Sequence, residues 1–167
     1  NVNIGLVYTS YYYFDHLKKK KILFNYKIPQ NNVPQKLLDD YNIGIVTVMI
    51  RKELFKKISF NQNLNFIEDF DLVVRLSLVT NFKNIETPTA YYRSHENNLS
   101  KKIADHVKEL RLWKNSFEKY SEYKFNLKKL NSLINFLEIK NDIILGKKKI
   151  ALKKIISNIF HGNKIKS

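Results

Sequence analysis

Cysteine is absent from this 167-residue chain. That excludes a disulfide framework and any cysteine-ligated zinc site, and it fits a reducing compartment. Nitrogen ligation of a metal is left to four histidines. No uninterrupted apolar run approaches the roughly 18–20 residues that span a bilayer, and the opening residues lack the charged, apolar and small-residue succession of a secretion signal. Walker loop, GxGxxG, HExxH and nucleophile elbow are all missing, so the enzyme classes built on them receive little weight. No internal repeat is present. Acids are scarce beside bases, 15 against 30, for a net charge of +15.

What remains is ample for a core: 44 % of residues are apolar and 13 % aromatic, over a length that suits one domain. The excess charge is unevenly placed. Residues 1–100 hold 13 Lys and Arg against 9 Asp and Glu, whereas residues 101–167 hold 17 against 6. Such a tail suits an anionic partner, either nucleic acid or a membrane surface. Lys, Asn and Ile are abundant along the whole chain, however, so the basicity is equally a general compositional bias; nucleic acid is not the expected partner, and a basic nucleic-acid-binding or membrane-surface helical module without catalysis is the alternative reading.

One stretch concentrates acids beside apolar residues: Phe60 to Leu76, FNQNLNFIEDFDLVVRL. Phe70, Leu72, Val73, Val74, Leu76, Leu78 and Val79 cover nearly every side of one helix, the pattern of a helix buried on most faces. Asp71 and Arg75 stand four apart with the acid first, so they can pair along one face. Glu68 falls on that face too, whereas Asp69 is turned about 100° from it and lacks an in-helix partner. Two roles are open to Glu68 and Asp69. They can complement the positive end of the helix dipole, worth about 0.3–1 kcal/mol, or Asp69 can be a carboxylate held over a cleft to take a proton from a substrate hydroxyl.

Thr47-Val48-Met49-Ile50-Arg51, then Phe60, then Glu68-Asp69-Phe70-Asp71-Leu72 with Arg75-Leu76, then Pro88 and Tyr92-Arg93-Ser94-His95 with Asn98 and Ser100, follow in an order and spacing that resembles the second half of family 2 glycosyltransferases. The resemblance runs from about Ile4 to Ser100. It implies an α/β class: a partial GT-A-type mixed sheet with packing helices over 1–100, the acceptor-side half of that fold, then an all-helical basic extension over 101–167. It further implies an inverting transfer of a sugar from a nucleotide-diphospho-sugar to a glycan, lipid-linked or protein acceptor, as in cell-envelope polysaccharide synthesis. Asp69 would be the general base and Glu68 its neighbour, while Arg93, His95 and Arg75 would meet substrate or diphosphate. The nucleotide-binding half, with its acidic DXD motif, would precede Ile4. A divalent metal, Mg²⁺ or Mn²⁺, is thus expected in the complete enzyme on residues outside this chain, with His95 a lesser candidate ligand. The chain begins with Asn rather than Met, which reads as a piece of something longer, inactive alone.

Elsewhere, Val2 to Tyr13 reads as a buried strand passing into a tyrosine cluster that can be a sugar-stacking platform or strand packing. Asp15, His16 and Lys18 to Lys21 read as a polar turn, Ile22 to Ile28 as a second strand, and Gln35 to Tyr41 as a short helix. Ile45 to Ile50, β-branched and continuous, reads as a central strand buried on both faces, and Arg51 to Ile58 as a helix. Phe82 to Tyr92 reads as a strand near a sheet edge, because Pro88 cannot donate to a ladder. Ser100 is placed as the N-cap of the next helix. Ile103, Val107, Leu110 and Trp113 repeat at helical spacing, as do Leu130, Leu133, Ile134 and Leu137, with Gly146 a natural stop. Lys147 to Phe160 is a basic amphipathic helix, which either packs on its neighbours or lies on an anionic bilayer. The location these features imply is cytoplasmic, with peripheral contact at the inner face of the cell membrane through 147–167.

Overall fold

The structure is a computed structural model that describes residues 3–15, 19–28, 32–95, 98–120 and 124–162, with the side chains of 100, 119–120 and 159–162 also outside the description. Its framework is β1, Ile4–Asp15. Period-two alternation turns Leu6, Tyr8 and Ser10 into the core. Along one edge β1 pairs in parallel with β4, Asn81–Ser94, from Ile4 to Asp15. Two shorter strands divide the other edge: β2, Lys20–Phe24, lies antiparallel against Tyr11 to Asp15, and β3, Met49–Ile50, against Leu6 and Val7. The sheet is therefore mixed and open, as an α/β chain requires. The parallel β1–β4 pair is joined by a long helical crossover, because a tight turn cannot connect parallel strands. β4 is an edge strand, and Pro88 faces Ser10 where the register shifts, so the missing N–H disturbs no regular rung.

The crossover holds α1, Val33–Asp39, α2, Lys52–Lys57, and α3, Glu68–Ser77. Pro34 sits in the first turn of α1, where its absent N–H would have no helical partner. After β4 come α4, Ile103–Tyr120, α5, Lys128–Ile144, and α6, Lys148–Gly162. α5 ends in a Schellman motif: Gly146, at φ +73°, donates to the Ile143 carbonyl at 3.0 Å, and Lys147 donates to that of Asp142 at 2.8 Å. The glycine stop read from sequence is where it was expected. No described helix is long and apolar enough to cross a membrane.

Three expectations are overturned. Ile45 to Ile50 is not a buried strand. Ile45–Thr47 winds into a 3₁₀ turn because both the amide and the hydroxyl of Thr47 close back onto the Gly44 carbonyl, at 2.9 and 2.7 Å. Val46 and Met49 are left 59 % and 75 % exposed. Lys20 and Lys21 belong to β2 rather than to a solvated turn: Lys21 lies over the Tyr12 ring at 3.6 Å and donates to the Tyr91 hydroxyl at 2.9 Å. His16 and Lys18 lie outside the described residues. Ser100 falls within a second 3₁₀ turn, Leu99–Lys101, and α4 starts only at Ile103, so Ser100 does not hold the N-cap position.

The tyrosine cluster is cross-strand packing. Tyr12 stacks on its register partner Tyr91 and Tyr13 on Tyr92, at 5.3 and 5.8 Å between ring centres. One continuous hydrophobic core links all layers. Leu6, Tyr8 and Phe82 of the sheet and Leu72, Val73 and Leu76 of α3 share a cluster with Val107, Leu110 and Trp113 of α4 and Leu130 and Ile134 of α5.

Candidate functional site

α3 starts without a side-chain cap at Ile67. Its approach is held instead from α4. The Glu109 carboxylate accepts the backbone N–H groups of Asn65, Phe66 and Ile67 at 2.9–3.3 Å. A carboxylate there satisfies donors that would otherwise be orphaned and complements the helix dipole. One turn into α3, buried Asp71 accepts from Arg75 at 2.6 and 2.9 Å and from the Trp113 indole at 2.8 Å. Trp113 also packs edge-on against Phe70, 4.8 Å between centres. Two points of α4, Glu109 and Trp113, thus set the position and roll of α3.

That placement turns Glu68 and Asp69 toward a cavity of about 870 Å³ bounded by α1, the entry to α3, α4 and α5. Leu37, Phe66, Phe70, Leu110 and Leu130 supply apolar wall, and Tyr41, Tyr92 and His106 add polar groups. Asp69 is half-buried. Its Oδ1 accepts the Phe70 amide at 2.7 Å, and its Oδ2 lies 3.4 Å from the Tyr41 hydroxyl. Burial raises its pKa above the ordinary 3.8, the Phe70 amide opposes that, and the neighbouring Glu68 charge adds to it. Neither Glu68 nor Asp69 forms an ion pair among the described residues. Burial also pushes the Tyr41 phenol well up, so it stays a neutral donor, and lowers the pKa of His106 from 6.5, which keeps that ring neutral. Two side-chain atoms of lining residues, Glu68 Oε2 and His106 Nδ1, are buried away from solvent with no hydrogen-bond partner among the described residues.

The residues singled out from sequence divide into two groups. Glu68 and Asp69 line the cavity. Arg93 and His95 do not: both are exposed beyond the end of the lining residue Tyr92, and the His95 amide donates to the Asn98 side chain. Arg75 is corrected. It is held between Asp71 and the Ser59 carbonyl, 2.8 Å away, and does not reach the cavity, because the i,i+4 pairing that made it visible in sequence also occupies it. No group of three or more His, Asp or Glu among the described residues is arranged to hold a metal ion. The described residues therefore offer no ready-made seat for a divalent cation.

Sequence reasoning missed Tyr41, His106, Glu109 and the Trp113–Asp71 bond. His106 and Glu109 flank the apolar stripe of Val107, Leu110 and Trp113, which was visible; that this stripe faces α3 was not. Comparison with family models, with curated proteins and with solved structures finds no match for this chain.

Proposed function

We propose that this chain carries the acceptor-side half of a GT-A-type inverting glycosyltransferase. The observation that carries the reading is Asp69: a half-buried carboxylate facing an 870 Å³ cavity, free of any ion pair among the described residues, with its proton affinity raised by burial. A base of raised pKa is better matched to a hydroxyl proton, and it serves only if no cation has claimed it. The order of residues from Thr47 to Ser100 supports the same assignment.

In the reaction the acceptor hydroxyl lies in the cavity against Asp69. Its oxygen attacks the anomeric carbon of the donor, its proton passes to the Asp69 carboxylate, and the bond to the diphosphate breaks with the electron pair leaving on that group. Tyr41 steadies the second carboxylate oxygen. Arg93 and His95, at the open end of β4, are the positions proposed to meet the diphosphate, as donors to developing negative charge. The divalent metal and nucleotide pocket of such an enzyme would reside on residues outside this chain.

The test is sugar transfer by protein that contains this chain, from a panel of nucleotide-diphospho-sugars to saccharide and lipid-linked acceptors. Asp69→Asn is expected to lower the rate by about 10²–10⁴, the range for loss of a general base, with nucleotide binding unchanged. Retained turnover refutes the role.

A second reading rests on α6. Leu152, Ile155 and Ile156, at i, i+3 and i+4, are 37–57 % exposed beside Lys148, Lys149 and Lys153, a face suited to an anionic bilayer surface at a peripheral, cytoplasmic-side location. Flotation with anionic liposomes is expected to be lost when 147–167 are removed; flotation that survives the truncation removes this role.

A further inference from the structure

Residues 143–149, IILGKKK, carry the chain from α5 into α6 and are exposed throughout. Ile143, Ile144 and Leu145 lead, 52–65 % open to solvent, and among the described residues nowhere else do three large apolar side chains stand exposed in succession. The Schellman motif satisfies this turn from within: the amides of Leu145, Gly146, Lys147 and Lys148 all find carbonyl acceptors inside it, at 2.8–3.0 Å. An apolar tip whose backbone donors are already paired can leave water without stranding them. Its side chains do not close the motif either, because Lys147 stands where an apolar residue often does so.

Lysines flank the tip. Lys140 stands one turn before Ile144, and Lys147, Lys148 and Lys149 follow Gly146; none of the four forms an ion pair among the described residues. From residue 139 to its end the chain has eight lysines and a single acid, Asp142. That acid is buried and taken by Lys154 at 2.6 Å. Lys147 to Lys149 also enter α6 at the positive end of its dipole, with no acid in its first turn, so they oppose the helix end instead of stabilising it. The free protein thus holds exposed aliphatic side chains beside uncompensated cations, and one kind of surface relieves both: apolar beneath and anionic on top.

We infer that the α5–α6 turn is a membrane-inserting wedge, with Ile143, Ile144 and Leu145 entering the acyl region of a bilayer while Lys140 and Lys147 to Lys149 meet its anionic lipid headgroups. The partner is that of the α6 reading; the contact is not, since α6 lying flat would bury Leu152, Ile155 and Ile156 instead. Removing 147–167 takes the lysines from both arrangements and does not tell them apart.

Because cysteine is absent, a single introduced cysteine carries a polarity-sensitive fluorophore at one chosen place. Leu145→Cys reports on the turn, Leu152→Cys on the flat face of α6, and Val79→Cys on an exposed position outside both. The labelled 167-residue chain is mixed with vesicles of phosphatidylcholine, alone or with about one-third phosphatidylglycerol. The label at 145 is expected to enter an apolar phase with the anionic vesicles only, and the label at 79 to stay in water. Ile144→Ser combined with Leu145→Ser is expected to weaken vesicle binding at least about tenfold, since two aliphatic side chains no longer leave water. Lys147→Gln, Lys148→Gln and Lys149→Gln are each expected to weaken it about fivefold. All five side chains are exposed, so the circular dichroism of the parent is retained. An apolar shift at 145 upholds the inference whether or not 152 shifts as well. A shift at 152 alone overturns it and leaves α6 lying flat; no shift at either place, or equal binding to neutral vesicles, overturns both. Self-association without lipid that the serine pair abolishes, in place of vesicle binding, assigns the tip to a second copy of the chain and overturns the membrane role.

Discussion

Asp69 is placed where ionisation is opposed by burial, and that has a measurable consequence. Its folded pKa lies above the unfolded value near 3.8. Between those values the native state holds the extra proton, so stability from this group is full below the unfolded pKa and is lost as pH rises through the folded one. Asp69→Asn removes the penalty of ionisation in a half-buried site. The variant is expected to melt at the same temperature as the parent or higher at neutral pH, with the gap closing toward about pH 3. A parent that is clearly more stable at neutral pH would mean that the carboxylate is engaged in a stabilising contact and is no poised base. His106 runs the other way: its lowered pKa means that acidification from 6.5 down through the folded value destabilises the fold, since protonation is easier once unfolded. Of these two residues, Asp69 was legible in sequence because it lacks an i,i+4 partner. His106 was not, because nothing local marks a histidine whose ring nitrogen will be buried.

Elements hold the site through contacts that no single helix contains. α3 has no cap of its own and takes three backbone donors' worth of capping from Glu109 on α4. Glu109→Ala is expected to cost about 1–3 kcal/mol, the range for stranding donors removed from water, and to speed amide exchange at Asn65 to Ile67 in particular. Unchanged exchange there would show that those amides do not depend on α4. Trp113→Phe keeps much of the ring packing but takes the donor from buried Asp71, with a similar expected loss in thermal or urea unfolding. At the end of α5, Gly146→Ala forces a left-handed residue to carry a Cβ, at about 1 kcal/mol. Space is open around that position, so backbone conformation alone accounts for the loss.

At the scale of the whole molecule, the change in charge near residue 100 is not matched by any break in the core. Val107, Leu110, Trp113, Leu127, Leu130 and Ile134 pack in the same cluster as the sheet and α3. Each such side chain contributes about 1.5–3 kcal/mol when fully buried. Their combined loss, on the order of 10 kcal/mol, rivals the 5–15 kcal/mol by which whole domains are stable. Residues 1–102 alone are therefore expected to show no cooperative unfolding transition. A folded truncated form would show that the helical part is dispensable for the fold.

The sequence by itself determined the α/β class, the existence of α3 through α6, the edge character of the Pro88 strand, the glycine stop at Gly146 and the Asp71–Arg75 pair. Each follows from periodicity, a missing N–H, a permitted φ or a four-residue spacing, all of which act within one element. It misread Ile45 to Ile50, because β-branched residues favour a strand only where a partner edge is free: β2 takes Tyr11 to Asp15 of that edge of β1, only Met49–Ile50 pairs with Leu6 and Val7, and the Thr47 hydroxyl offers the preceding backbone a competing bond. Only the tertiary structure decided that α4 carries the clamp on α3, that Arg75 is occupied while Asp69 forms no ion pair among the described residues, and that the cavity beside Asp69 has neither Lys nor Arg among its described lining residues. Those outcomes depend on which helix faces lie against each other across forty or more residues, and local spacing carries no information about that.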